Sequence, residues 1–97
     1  MAKSIKGSTL YSILLSILFA TFWQALPTKH YEERHSDVEW ELVLATLLTP
    51  TRWRPNRRRG KGRYTYEKEF DGFAVEVHIK IEVDGTAWVI NAFKNRR

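Results

Sequence analysis

Apolar and polar residues alternate most clearly between residues 64 and 94. Two dipeptides, Asp71-Gly72 and Asp84-Gly85, each lie between runs that are rich in β-branched and aromatic residues. An Asp-Gly pair in this setting is typical of a two-residue turn that joins neighbouring antiparallel strands. The pattern therefore predicts a three-stranded antiparallel meander with one apolar and one polar face.

Counting outward from these two turns predicts the register of the strands. On the apolar face, Val77 pairs with Tyr66 on one side and with Ala92 on the other. The other apolar-face pairs are Phe70 with Phe73, Lys68 with Val75, Tyr64 with Ile79, Ile79 with Ile90, and Ile81 with Trp88. The polar face carries three rows, namely Arg63, Lys80 and Val89; Thr65, His78 and Asn91; and Glu67, Glu76 and Phe93. The middle row places three different hydrogen-bonding side chains on a rigid support.

A helical period precedes the meander, between residues 28 and 48. Apolar residues recur at Val38, Leu42, Ala45 and Leu48, with Glu39 and Glu41 on the polar side. The helix or helix pair ends before Pro50, since a residue that precedes proline is pushed out of the α region. The predicted fold class is α+β, with N-terminal helices packed on one face of a three- to four-stranded antiparallel meander.

The N-terminal segment is uncharged from Gly7 to Thr28. We predict a hydrophobic helix over residues 1–27 and a small α+β domain over residues 28–97, and three roles for the helix stay open: a signal peptide, a membrane anchor or a buried core helix. Small residues recur every four positions between residues 8 and 20, which favours helix pairing and hence a homodimer. The expected location is membrane-associated or exported, or cytoplasmic if the helix is core.

Composition limits the chemistry that is open to this chain. Its 97 residues suffice for one small domain, and the lack of cysteine excludes disulfides, thiolate metal sites and cysteine nucleophiles. The formal net charge of +5 is concentrated between Thr51 and Arg63, which we call the basic segment, and no acid occurs between Leu42 and Tyr66. Pro55, Asn56, Gly60 and Gly62 predict that this segment is a loop.

The basic segment is a candidate for RNA binding. Trp53, Tyr64 and Tyr66 add stacking surface to its charge. The candidate RNA-binding residues are Arg52, Arg54, Arg57, Arg58, Arg59, Lys61, Arg63 and, on the neighbouring strand, Lys80. Anionic lipid headgroups are the alternative ligand for the same charges.

His30 and Arg34 are the candidate catalytic pair, because residues four apart share a helix face. A histidine transfers protons near neutral pH and an arginine binds phosphate, so the pair suits phosphodiester cleavage. The three histidines, His30, His35 and His78, lack a recognised metal-ligand spacing. We therefore expect neither a metal nor a cofactor.

Residues 30–94 resemble the prokaryotic family catalogued as domain of unknown function 4258, which is similar in fold to the barnase/RelE-like ribonuclease toxins. The resemblance runs through His30-xxx-Arg34, Val38 and Val43 to Thr49-Pro50, Gly62 to Lys68 with Asp71-Gly72, and Gly85 to Phe93.

This resemblance implies a metal-independent, RNA-cleaving, toxin-like domain. His30 would be the general base or acid, and Arg34 and Arg63 would hold the phosphate. Thr65, His78 and Asn91 would orient the RNA, and an antitoxin or immunity protein is an expected partner. The alternatives are a membrane-anchored binding module with a basic face and an inactive interaction domain of the same fold.

Overall fold

A computed structural model describes residues 24–96 of the chain. The elements are β1 (Gln24–Pro27), α1 (Lys29–Arg34), α2 (Trp40–Leu48), β2 (Arg52–Pro55), a 3-10 turn (Arg57–Arg59), β3 (Arg63–Phe70), β4 (Phe73–Ile81) and β5 (Thr86–Arg96). They form an α+β fold whose five-stranded sheet has the order β1-β5-β4-β3-β2. The sheet is mixed, because β1 runs parallel to β5 while the other neighbours are antiparallel. The predicted α+β class and the antiparallel meander are confirmed, whereas the sheet has five strands instead of three or four and one of its pairings, β1 with β5, is parallel.

The first hairpin, β3–β4, confirms the predicted register. Phe70 pairs with Phe73, and the pairing continues without a break to Arg63 opposite Lys80. Gly72 has a φ of 88°, the left-handed conformation that the second central position of a type I′ turn requires. The two-residue turn therefore sets the whole hairpin.

The second hairpin, β4–β5, begins with a longer turn than predicted. Three residues, Val83 to Gly85, separate Glu82 from Thr86, and the amide of Gly85 donates to the Glu82 carbonyl at 2.9 Å. The Asp84 carboxylate accepts from the Thr86 amide at 2.9 Å, which stabilises this turn. The extra turn residue shifts the register by one beside the turn.

The pairs predicted next to this turn are consequently wrong. Ile81 pairs with Ala87, Lys80 with Trp88 and Ile79 with Val89, instead of Trp88, Val89 and Ile90 respectively. A bulge between His78 and Ile79 then leaves Ile90 without a partner on β4 and restores the predicted register. The pairs of Val77 with Ala92, His78 with Asn91 and Glu76 with Phe93 are therefore confirmed.

The two outer strands were not predicted. β2 lies inside the basic segment, which was expected to be a loop, and pairs with β3 so that Arg54 faces Thr65. β1 occupies residues 24–27 of the predicted hydrophobic helix, and these residues extend along β5 from Gln24 opposite Thr86 to Pro27 opposite Val89. The remainder of that predicted helix, residues 1–23, and the predicted dimer contact through residues 8–20 lie outside the described residues.

The helical region is a pair of short helices, one of the two predicted forms. The Thr28 hydroxyl accepts from the Tyr31 amide at 3.1 Å and caps α1. In α2 the fully buried residues are Val43, Thr46 and Leu47, whereas the predicted Leu42, Ala45 and Leu48 are half-buried. Within residues 24–96, neither helix has the length or the apolar character that crossing a membrane requires.

The sheet therefore has two different faces. The helix-covered face lies under α1 and α2, and its buried residues are Tyr66, Val75, Val77, Ile79, Val89 and Ala92. The polar face is the opposite one, and carries Thr65, Glu67, Glu76, His78, Asn91 and Phe93. Alternation along the strands separates the two sets, since successive side chains point to opposite faces.

Candidate nucleic-acid interface

The predicted row of Thr65, His78 and Asn91 is present on the polar face, and Arg54 extends it onto β2. Thr65 is only 2% exposed. Its hydroxyl oxygen accepts from the Asn56 side-chain amide at 3.4 Å. Thr65 thus ties the basic segment to the sheet and offers almost no surface to a substrate.

His78 is held at both ring nitrogens. The Asn91 side-chain amide donates to Nδ1 at 3.0 Å, and Nε2 donates to the Glu76 carboxylate at 2.7 Å. These two contacts select the neutral tautomer with its proton on Nε2. Neither nitrogen is left for a substrate, so His78 links the strands of the polar face.

His30 lies on α1 and contacts a different residue from the one that its spacing predicts. Its Nε2 lies 3.3 Å from Nε2 of His35, whose Nδ1 donates to the Ala92 carbonyl at 3.1 Å. This carbonyl places the proton of His35 on Nδ1, so that Nε2 of His35 accepts from His30. The Arg34 side chain is exposed and forms no ion pair with the residues that the structure describes.

Phe93 joins the histidine pair to the polar face. Its ring centroid lies 5.0 Å from that of His35 and 5.5 Å from that of His78, both in edge contacts. The side chain is still 40% exposed. His30, His35, Phe93 and His78 therefore form a continuous line from α1 onto the sheet.

Sequence reasoning missed the roles of His35 and Phe93. Phe93 had a usable signal, because the counted register placed an aromatic residue in a row with Glu67 and Glu76. His35 had none, since its position depends on α1 ending at Arg34, immediately before it.

The first arginine of the basic segment is neutralised. Arg52 donates to Glu67 at 2.5 Å and to Glu69 at 2.9 Å. The hydrogen bonds to Glu69 and Glu67 raise the pKa of its guanidinium above the usual value. Lys80 lies 3.9 Å from Glu82. These two predicted RNA-binding residues already have acidic partners.

The remaining cations of the segment differ from Arg52. Five of them are exposed and form no ion pair within residues 24–96, namely Arg54, Arg57, Arg58, Arg59 and Lys61. Arg63 is half-buried beside Lys80. Their charge is therefore available to an external anion.

The loop that carries these cations is anchored to the sheet. The Asn56 amide donates to the Arg63 carbonyl at 2.8 Å, and the Ile81 amide donates to the Gly62 carbonyl at 2.8 Å. Gly62 has a φ of 75°, and a Cβ at this position would lie 2.9 Å from the Ile81 carbonyl oxygen. Glycine at position 62 is what lets the loop lie against the end of β4.

A surface cavity of about 380 Å³ opens at the end of this loop. It is lined by Pro55, Arg57, Gly60, Lys61, Gly62, Arg63 and Tyr64. Three of these residues are cationic and none is acidic, so the cavity favours an anion. Tyr64 supplies an aromatic wall, and the Trp53 ring lies 5.9 Å from the Tyr64 ring and stacks on Tyr66 at 6.0 Å.

No three histidine, aspartate or glutamate side chains within residues 24–96 are grouped as a metal site would require.

Comparison of the chain with protein-family models, with curated proteins and with solved structures finds no match in any of the three.

Proposed function

We propose that this protein binds single-stranded RNA through its basic segment and the adjoining polar face. The observation that carries the proposal is the set of exposed cations without acidic partners, described above, in a loop that the sheet holds in place. Phosphate groups bind such cations and release counterions, which supplies affinity for any nucleic acid.

Aromatic side chains favour a single strand of RNA over a lipid surface. Trp53 lies on the side of β2 that carries Tyr66, and Phe93 lies on the polar face, so that each side of the sheet has a ring that is 40% exposed. Unpaired bases stack on such rings, whereas lipid headgroups gain little from them. Of the two acids in the row of Phe93, Glu67 is neutralised by its ion pair with Arg52, whereas Glu76 keeps its negative charge because its partner His78 is neutral.

The test measures the affinity of the full chain for a single-stranded RNA oligonucleotide at several salt concentrations. We expect Arg54→Ala with Arg58→Ala to weaken binding and to reduce the slope of log K against log salt by about 1.4, since each lost phosphate contact on a single strand removes about 0.7. Lys94→Ala is the control, because Lys94 contacts Glu39 and the Phe73 ring at the other end of the meander. An unchanged slope in the double variant contradicts the proposal, and preferential binding to anionic vesicles supports the lipid alternative.

The second candidate is RNA cleavage at the histidine pair, and the observation that favours it is the bond from His35 Nδ1 to the Ala92 carbonyl. His30 then donates through Nε2 and keeps a lone pair on Nδ1. At that nitrogen it accepts the proton of a ribose 2′-hydroxyl, whose oxygen attacks the adjacent phosphorus and releases the 5′-oxygen to take a proton from water. His35 shares the positive charge that His30 gains.

The cleavage test compares single-histidine variants on an RNA mixture, with and without a chelator. We expect His30→Ala to abolish cleavage and His35→Ala to reduce it about 100-fold or more, the usual contribution of a general acid or base. Chelation should leave the rate unchanged. If cleavage requires His78 and not His35, the histidine pair is not the catalytic site, and the row of Thr65, His78 and Asn91 is the site instead.

We also propose a relationship to the barnase/RelE-like fold. The support is the order of elements, in which a helix pair precedes four consecutive antiparallel strands, β2 to β5, and packs on one face of the sheet. β1 and its parallel pairing are additions to that plan. A solved structure of the full chain tests this relationship directly.

A further inference from the structure

We infer that the cavity at the end of the basic segment is a subsite for one nucleotide that carries a phosphomonoester, with the phosphate on Arg57 and Lys61 and the base on Tyr64. The inference rests on the proposed RNA binding and deepens it, because it names one position where a nucleotide is held. The volume of about 380 Å³ lies in the range of small-ligand pockets.

Charge selects the phosphomonoester. Arg57 and Lys61 line the cavity with the first residue of β3, Arg63, and none of the lining residues within residues 24–96 is acidic. A phosphomonoester carries a charge of about −1.5 to −2 at neutral pH, against one negative charge for the diester inside a strand. A cavity with more than one cation and no acid therefore favours the end of an RNA strand, or a free nucleotide, over an internal linkage.

The cavity is formed before a ligand arrives. The Gly60 amide donates to the Arg57 carbonyl at 3.2 Å and closes the 3-10 turn, while the Asn56 amide bonds to the Arg63 carbonyl at 2.8 Å. Gly62 is fixed against Ile81 by its own backbone hydrogen bond. Such a loop loses little conformational freedom when it binds, which favours affinity.

Tyr64 gives the cavity a surface for a base. Its ring is half-buried and lies beside Trp53, so its orientation is supported from one side. Stacking on an aromatic ring does not distinguish one base from another. We therefore assign the site to nucleotides as a class and not to one base.

The experiment titrates the full chain with adenosine 5′-monophosphate, adenosine and inorganic phosphate at one ionic strength, and follows the amide resonances of Gly60 and Gly62. We expect the nucleotide to bind saturably and at least about tenfold more tightly than either fragment, because only the nucleotide uses both the cations and the ring. Equal affinity for inorganic phosphate and the nucleotide overturns the role of Tyr64. No saturation with the nucleotide overturns the site.

Two neighbouring arginines provide the matched comparison. Arg57 and Arg58 follow each other in the same 3-10 turn, but only Arg57 lines the cavity. We expect Arg57→Ala to weaken nucleotide binding about tenfold, as loss of a charge-assisted hydrogen bond does, and Arg58→Ala to change it by less than about threefold. If both variants lose the same nucleotide affinity, the loop attracts the nucleotide by its overall charge and not at a defined site, which overturns the inference.

Tyr64 is tested by two substitutions, since its ring also packs on the core. Tyr64→Leu keeps an apolar side chain and should remove the preference for the nucleotide over inorganic phosphate, while Tyr64→Phe keeps the ring and should retain it. A preference that survives Tyr64→Leu, in a protein shown to be folded by circular dichroism, overturns the assignment of the base.

Failure of this inference can be told from failure of the proposed function. If the unsubstituted chain binds RNA but the nucleotide does not saturate it, this inference alone is overturned. If the unsubstituted chain does not bind RNA, the proposed function is overturned.

Discussion

β4 contributes to both faces of the sheet, and the two faces are stabilised differently. On the helix-covered face, the side chains of Val75, Val77 and Ile79 are buried among other apolar side chains. Being apolar, these side chains form no hydrogen bonds. On the polar face, Glu76 and His78 each have a hydrogen bond to a specific atom. The first face derives its stability from buried area, which is non-directional, and the second gains a defined geometry from pairs that contribute little individually.

The largest expected effect is on the helix-covered face. Leu47 is 1% exposed on α2, and Leu47→Ala should lower the free energy of unfolding by about 2–5 kcal/mol because it leaves a cavity above the sheet. Urea denaturation measures the change. Leu44→Ala is the matched control, since Leu44 is half-buried on the same helix and should cost less. Equal losses would show that burial does not decide the contribution of this face.

The next effect concerns the loop at the end of the sheet. Gly62→Ala places a methyl group 2.9 Å from the Ile81 carbonyl oxygen in a left-handed conformation, and we expect a cost of about 1–3 kcal/mol. Gly72→Ala is the comparison, because Gly72 has a φ of 88°, close to that of Gly62, but a Cβ at that position would have no neighbouring atom within 4 Å. Thermal unfolding of both variants isolates the contact with Ile81, and an equal loss would assign the whole cost to the backbone conformation.

On the polar face, Asn91→Ala removes the donor to His78 Nδ1, and we expect a loss of about 1 kcal/mol. Nitrogen NMR of the imidazole should report the Nε2–H tautomer in both chains, because Glu76 still accepts from Nε2, and a shift of the Nδ1 resonance in the variant that has lost the donor. Asn95→Ala, an exposed change on the same strand, should alter neither. If Asn91→Ala lowered the free energy of unfolding as much as Leu47→Ala, the two faces would not differ in how they are stabilised.

The smallest effect is at Glu39, the residue before α2. A hydrogen bond to its own backbone amide, followed by the charge of Lys94, lowers the pKa of its carboxyl below the usual value of 4.5. The stabilisation is therefore present above pH 4.5 and is lost as the pH falls through the lower, folded-state pKa. Glu39→Gln should be slightly less stable than the unsubstituted chain at pH 7, and the difference should close in acid. A difference in stability that grows as the pH falls would contradict the prediction, because it would mean that the carboxyl of Glu39 has a raised pKa in the folded chain.

Local sequence determined the parts of the fold that were predicted correctly. Asp71-Gly72 fixes the first hairpin because its turn permits one register. Asp84-Gly85 lies in a three-residue turn, so the register counted from a two-residue turn is wrong by one residue next to it. The bulge at Ile90 removes this shift, and the predicted pair of His78 with Asn91 is therefore correct. β1 could not be predicted, since four residues gain a strand conformation only by pairing with a segment about sixty residues away.

The candidate site was predictable in its charges and not in its contacts. The cations of the basic segment are evident in the sequence, but the cavity requires the loop to turn back over Tyr64. The pairing of Arg52 with Glu67 and Glu69 depends on β2, a strand that contains Pro55 and has no apolar alternation. His30 was selected for its spacing to Arg34, whereas its contact with His35 depends on where α1 ends.

The bulge in β5 has a consequence for chain length. Ile90 is the residue that β4 leaves unmatched, while the pairs on both sides of it are regular. A chain that lacked this one residue would keep every pair between β4 and β5, including His78 with Asn91. Loss of Val89 would have nearly the same result, because Ile90 would then pair with Ile79, whereas loss of Ala92 would place Asn91 opposite Val77 on the helix-covered face. Related chains should therefore tolerate a one-residue deletion at position 89 or 90 more readily than one at position 92.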